Sequence, residues 1–308
     1  MTLWFKRGRR TSTSELQKQV KQFLQEQAKL NELHNAMRDV EQYEAQVRKL
    51  RTIHLHADEP KQWEDILNSP PPFEKGMIGP KEAEAQMNYA NYRPTLWDRL
   101  FGRSKRAELE AKIIAAREED RKAYETWREE IDLAAKVLQG SAAAYAKAID
   151  TYKPFADLAE FGSEFSCRTD GAPKRVEVEF RVHSDKIIPK VSKSLTKTGK
   201  LSVSNMPVTG YYGLMQDYVC GTIIRIARDL FALLPLEEVI IHAEDVQMNE
   251  AVGRPELITI VSVRIEKNVL DLLNMEAIDP SEALKNFEHR MNFLKTKGFR
   301  PVERLIVR

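Results

Sequence analysis

Along residues 14 to 51 apolar side chains recur every three or four positions: Leu16, Val20, Phe23, then Leu30, Leu33, Met37, Val40, Tyr43, Val47 and Leu50. That spacing gathers them on one side of an α-helix as a heptad-like seam. Gln27 interrupts the seam, and two consecutive steps of three, from Met37 through Val40 to Tyr43, shift its phase. A second helical pattern covers residues 104 to 138, with Leu109, Ile113, Ala116, Ala123, Trp127, Ile131, Ala134 and Leu138 on one side and dense Arg/Glu elsewhere. Each helix reaches roughly 50 Å at about 1.5 Å per residue and has one stripe to bury. The expected solution is a long antiparallel, coiled-coil-like helical hairpin.

Residues 52 to 103 join the two helices through Pro60, the run Pro70, Pro71 and Pro72, then Gly76, Gly79, Pro80 and Pro94, with a short helix expected at residues 63 to 67. A connector this long is usually functional or disordered. A further short helix is expected at residues 141 to 149.

The period then changes. RVEVEFRVH, residues 175 to 183, alternates strictly: Val176, Val178, Phe180 and Val182 face one way, Glu177, Glu179, Arg181 and His183 the other, as in a half-buried strand. One or two strands follow around a turn at Gly199. Residues 211 to 234 are apolar nearly all round, as a central helix requires, and Pro235 ends them. Residues 238 to 243 and 257 to 265 read as strands about a turn containing Gly253. Asp279 before Pro280 signals a helix carrying Leu284, Phe287, Met291 and Leu294 inward to Gly298, and residues 305 to 307 read as a closing strand. The expectation is thus an α+β protein of two parts: residues 1–150 as the hairpin arm, and residues 151–308 as a mixed domain in the order ββαββαβ.

Charged residues make up 31% of the chain, which suits long solvated helices, yet the net charge is only +2. The two halves balance separately, at 26 basic against 24 acidic and 22 against 22. Bulk electrostatics therefore does not call for nucleic acid, and only local clusters remain as anion sites. Two cysteines, Cys167 and Cys220, are too few for a disulfide framework and suit a reducing cytoplasm. No run approaches the roughly 18 apolar residues of a spanning helix. The stretches SLTKTGKLSVSNM, QDYVCGTIIRIARDLFALLPLEEVIIHAE and FEHRMNFLKTKGFRPVE resemble a group of uncharacterised bacterial proteins with a helical front half and an α+β back half. That resemblance implies a bacterial cytoplasmic setting and carries over no site residue.

Candidate chemistry is sparse. TLWDRLFGRSKR, residues 95 to 106, and TLWFKRGRR, residues 2 to 10, each place a Trp and a basic cluster ahead of a long helix. Trp4, Phe5, Trp97, Leu100, Phe101 and Arg103 are accordingly candidates for partner or membrane contact, set against simple capping of the hairpin core. KIIPKVSKSLTKTGK carries Lys186, Lys190, Lys193, Lys197 and Lys200 and no acid, a candidate phosphate or nucleic-acid surface or else a solvated sheet edge. Glu177, Glu179 and Glu244 are the weak candidates for catalysis of a metal-dependent, nuclease-like kind, though no acid-x-Lys tripeptide lies on a strand. His54 and His56 lack a completing ligand cluster, so no metal site is expected. No phosphate-cradling loop is present, and no cofactor is expected. Arg225 and Asp229, four apart on the apolar helix, read as a structural ion pair.

The leading expectation is a non-enzymatic binding or scaffold protein whose N-terminal helices engage a protein partner or form a homo-oligomer. The alternatives are a nucleic-acid-processing enzyme of a defence or mobile-element setting, and a peripheral membrane protein.

Overall fold

The structure is a computed structural model and describes residues 13–93, 103–169, 174–249 and 251–306. Its centre is a five-stranded sheet in the order β1-β2-β5-β6-β7, formed by β1 (Glu164–Arg168), β2 (Arg175–Arg181), β5 (Glu238–Asn249), β6 (Arg254–Glu266) and β7 (Glu288–Met291). β2 and β5 run parallel and the other neighbours antiparallel. Between β2 and β5 the chain makes a separate two-stranded ribbon, β3 (Val191–Leu195) with β4 (Leu201–Asn205), and then the central helix, here α8 (Val208–Leu233).

The strict alternation of β2 is what the sheet uses. Val176, Val178 and Phe180 are fully buried, and Glu177, Glu179 and Arg181 stay partly exposed on the other face. At about 1.5–3 kcal/mol for each large apolar side chain fully buried, this strand alone commits the sheet's inner face to α8. That helix is apolar all round because it is covered on both sides, by the sheet and by the N-terminal segment. Gly221 permits the second contact: a Cβ there would lie 2.9 Å from Ile53 Cγ2.

The two long helices are α1 (Thr13–Thr52) and α4 (Arg103–Leu138). The expected antiparallel hairpin between them is not what the structure shows. α1 packs on α8 and on the β3–β4 ribbon, whereas α4 packs on α2 (Trp63–Leu67), on α3 (Pro80–Ala90) and on α5 (Ala142–Tyr152). The connector is the physical reason. It folds into helices and supplies the surface that covers α4's stripe: Phe73, Tyr124 and Trp127 meet in sequence as tilted ring pairs, and Trp127 Nε1–H donates to the Ser69 carbonyl at 3.2 Å. Asp120 on α4 caps α3 from outside, accepting from Glu82 N–H at 2.8 Å and Lys81 N–H at 3.3 Å. The connector also closes the C-terminus of α8, whose last carbonyls have no partner within the helix. Lys61 N–H donates to Ala232 O at 2.7 Å, and the buried Trp63 Nε1–H to Leu233 O at 2.6 Å.

The strands about Gly199 and Gly253 form as expected, with both glycines at positive φ (79° and 65°). The last expectation fails. The helix begun at Asp279 and Pro280 ends at Ala283 and passes through a 3-10 turn, Leu284–Asn286, into β7. An exposed edge of β6 takes residues 288 to 291 as a strand, and that ladder outweighs the helical spacing. Two short strands, β8 (Phe293–Leu294) and β9 (Gly298–Phe299), follow. Of the expected closing strand, Leu305 and Ile306 belong to a strap, residues 301 to 306, that forms no strand, and residue 307 lies outside the described residues; Val302 N–H donates to Thr259 O at 2.9 Å.

Candidate functional site

The sheet face turned away from α8 collects the polar side chains of four elements, because alternation sends them there in register. Glu179 lies opposite His242, and His242 opposite Ser262. Glu244, two residues on from His242 and opposite Arg181, joins them by the same alternation, and the β5–β6 register shifts beside it with Ile260 as the extra residue of β6. All three candidate acids therefore meet in one place, together with His242, Ser262 and Arg304, which the pattern of the chain does not single out. The alternation of EVIIHA and VSVRI holds a usable hint, since His242 and Ser262 sit at buried positions where a polar side chain needs a partner.

Each acid here is already held. Arg304 from the strap donates to Glu179 at 2.8 Å and to Glu244. Arg168 donates to Glu179 at 2.9 Å and lies 3.8 Å from Glu177. Glu177 also lies 3.2 Å from His242 Nε2. The bond from Arg304, with the charges of Arg168 and Arg304, holds the Glu179 carboxyl below the ordinary range. Burial, then the Arg304 charge, depresses His242, against the opposing pull of Glu177. A neutral His242 satisfies the whole chain of contacts: Nε2–H donates to Glu177, Nδ1 accepts from Ser262 Oγ at 2.8 Å, and Ser262 Oγ accepts from Leu305 N–H at 2.9 Å. Glu, His and Ser thus form a relay that fastens the strap. Ser262 is fully buried in the middle of a strand, so its hydroxyl has no access to a substrate carbonyl. Among the described residues no group of three or more His, Cys, Asp or Glu is placed to hold a metal ion.

The lysine-rich segment divides differently. Lys186 sits in α7 (Ser184–Ile187), Lys190 just ahead of β3, Lys193 on it, and Lys197 and Lys200 in the turn. None of the five pairs with a carboxylate among the described residues. Cross-strand register puts Lys190, Ser192, Ser194 and Thr196 on the same side as Lys200, Ser202 and Ser204. One face of the ribbon is therefore lined by hydroxyls, with an ammonium toward each end and Met206 opposite Lys190. Ser192 and Ser204 hydroxyls lie 3.2 Å apart, and Lys200 N–H donates to Thr196 Oγ1 at 3.0 Å. The other face carries Val191, Lys193 and Leu195 against Leu201, Val203 and Asn205. Where the ribbon meets α1, an open cleft of about 700 Å³ is lined by Leu30, Leu33, Ala36, Asp39, Gly199 and Leu201.

The Arg225 and Asp229 pair forms as expected, with Nε donating to both carboxylate oxygens at 2.8 and 2.7 Å. Asp58 N–H also donates to Asp229 at 2.9 Å, tying the connector to the helix. Burial pushes the Asp229 carboxyl up to about 7, against the bond from Arg225. Of the two histidines without a completing ligand cluster, His54 is buried and His56 is exposed. Burial likewise pushes the Cys167 thiol up to about 12, and Cys220 is wholly enclosed.

Trp4, Phe5, Trp97, Leu100 and Phe101 lie outside the described residues; Arg103 begins α4. Within them, the first half of α1 leaves Val20, Phe23, Leu24 and Leu30 exposed. No helix among the described residues is long and apolar enough to cross a membrane. Neither a protein family, nor a curated protein, nor a solved structure matches this chain.

Proposed function

We propose that the protein is a non-enzymatic binding or scaffold protein, in the bacterial cytoplasmic setting that the resemblance implies, with the first half of α1 as the arm that engages a protein partner or a second copy. The observation that carries this reading is a 40-residue helix whose residues 20 to 32 are exposed throughout, four large apolar side chains among them. A helical segment with so little tertiary cover is marginal in water, and an apolar stripe of that length calls for a partner surface. The occupied state of Glu177, Glu179 and Glu244 supports the same reading, since each of these three candidate acids is held by a cation or by His242. The test compares proteins captured by the full chain with those captured by its Phe23→Glu and Leu30→Glu variants. Loss of specific capture is expected, and an unchanged set rejects the reading.

A second reading, phosphate or nucleic-acid binding through the β3–β4 ribbon, is favoured by the hydroxyl and lysine face. Its expected signature is affinity for a duplex or single strand that falls with salt. Replacing Lys190 and Lys200 with Gln should make the salt slope shallower by about 0.9 for each duplex phosphate that is no longer neutralised.

A further inference from the structure

Where the connector is fastened to the end of α8, a cavity of about 290 Å³ opens between residues 57 to 60, the last turns of α8, and residues 267 to 275, which begin with α9 (Lys267–Leu270). Much of its wall is apolar: Phe231, Leu270, Leu273 and Met275 all belong to the core or pack against it. Arg228 interrupts that wall. It lines the cavity half-buried, and among the described residues its guanidinium makes one hydrogen bond, from Nη1–H to the His54 carbonyl, and pairs with no carboxylate. Asp229, the next residue, acts on its charge but is committed to Arg225 and to Asp58 N–H. Burial depresses the Arg228 guanidinium, against the pull of Asp229. The other charges of the lining are matched at short range: Lys267 Nζ lies 2.6 Å from Asp271, and Asp58 lies 3.8 Å from Arg225.

We propose that this cavity binds a small organic carboxylate, Arg228 taking the anion and the apolar wall its hydrocarbon body. The site is separate from the α1 arm and stands whether or not that arm docks. A guanidinium offers its N–H donors in a planar fork that fits a carboxylate with two parallel bonds, and partial removal from water strengthens the pairing. A half-buried cation without a counter-charge is costly, and a ligand that brings the charge offsets that cost. A phosphate monoester fits less well. It carries nearly two negative charges against one unmatched cation, and the exposed Asp58 and Asp271 carboxylates repel the excess. The cavity lies at the small end of the ~300–1,000 Å³ of ordinary ligand pockets, room for a single ring or a branched chain of about six carbons. A molecule seated there touches the connector, α8 and residues 267 to 275 together, and so should stabilise the anchoring of the connector.

The test is calorimetric titration of the full chain with 4-methylpentanoate, with its neutral counterpart 4-methylpentanamide, and with leucine. The acid is expected to bind with a Kd of about 0.1–1 mM, and the amide at least about tenfold more weakly. Leucine separates two sources of the carboxylate: tighter binding than the plain acid assigns the site to an apolar amino acid whose ammonium meets Asp58 or Asp271, and weaker binding assigns it to a simple acid. Arg228→Gln should weaken binding by about 10–100-fold, and Arg228→Lys should restore part of it, since the charge returns without the fork. Ala57→Leu narrows the cavity while keeping Arg228, and should also abolish binding; thermal melts of each variant without ligand show that it is folded. No response to either 4-methylpentanoate or leucine up to about 10 mM overturns the site. Equal binding of acid and amide, or binding indifferent to both Arg228→Gln and Ala57→Leu, overturns it as well.

Discussion

Replacing Asp229 with Ala should be among the most damaging single changes available to this fold. The Asp229 side chain is fully buried and Arg225 is 3% exposed, so the substitution strands a guanidinium in the core and orphans the Asp58 N–H. Breaking a buried pair from one side costs about 3–5 kcal/mol. Two exposed carboxylates, Asp157 at 3.4 Å and Asp58 at 3.8 Å from Arg225, offer the stranded cation partial relief. The expected loss therefore sits at the lower end, about 3 kcal/mol, a large share of the ~5–15 kcal/mol that holds a typical native state. Equilibrium urea unfolding at pH 8, where the pair is ionised, measures it through a lower midpoint at unchanged m. The paired substitution Arg225→Met with Asp229→Leu removes both charges and should recover most of the loss, because apolar replacement of a whole buried pair is often neutral or better. A single-substitution cost below about 1 kcal/mol, or a double variant no more stable than the single, refutes the assignment of this pair as the anchor of the connector.

The same carboxyl sets a pH dependence: its native value is raised to about 7, so the folded chain holds a proton that the unfolded chain releases. Stability should fall as pH rises from the ordinary aspartate range to about 7, and Asp229→Asn should flatten that slope in a pH series of urea melts. Gly79→Ala places a Cβ within 2.3–2.5 Å of the Asp120 side chain that caps α3, and should cost about 1–3 kcal/mol with loss of helicity in the connector. Arg304→Ala should raise the Glu179 carboxyl toward its ordinary range, followed by carboxylate NMR, and loosen residues 301 to 306 toward faster amide exchange. Glu179→Gln should leave a metal-supplemented nuclease assay unchanged; a nucleolytic activity that this substitution abolishes would revive the enzymatic alternative.

Local physics alone determined much of the chain. The period-two run at 175–181, the all-round apolar helix, the glycine turns at Gly199 and Gly253 and the ion pair four residues apart are decided within a few residues of one another, so spacing and turn chemistry suffice to read them; the alternation runs on to His183, where the left-handed backbone at φ 52° has already ended the strand. Tertiary structure decided what each apolar stripe meets. α4 presents a stripe that any complementary surface can cover, and the connector takes it because its own helices, tied by Trp63, Asp120 and Trp127, lie nearer than α1. Residues 284 to 298 carry a helical spacing, but an unpaired edge on β6 draws four of them into a strand. The meeting of Glu177, Glu179 and Glu244 with His242, Ser262 and Arg304 joins residues more than a hundred positions apart. A one-dimensional pattern shows which side of a strand a residue takes; the neighbour it finds there depends on which strands lie side by side.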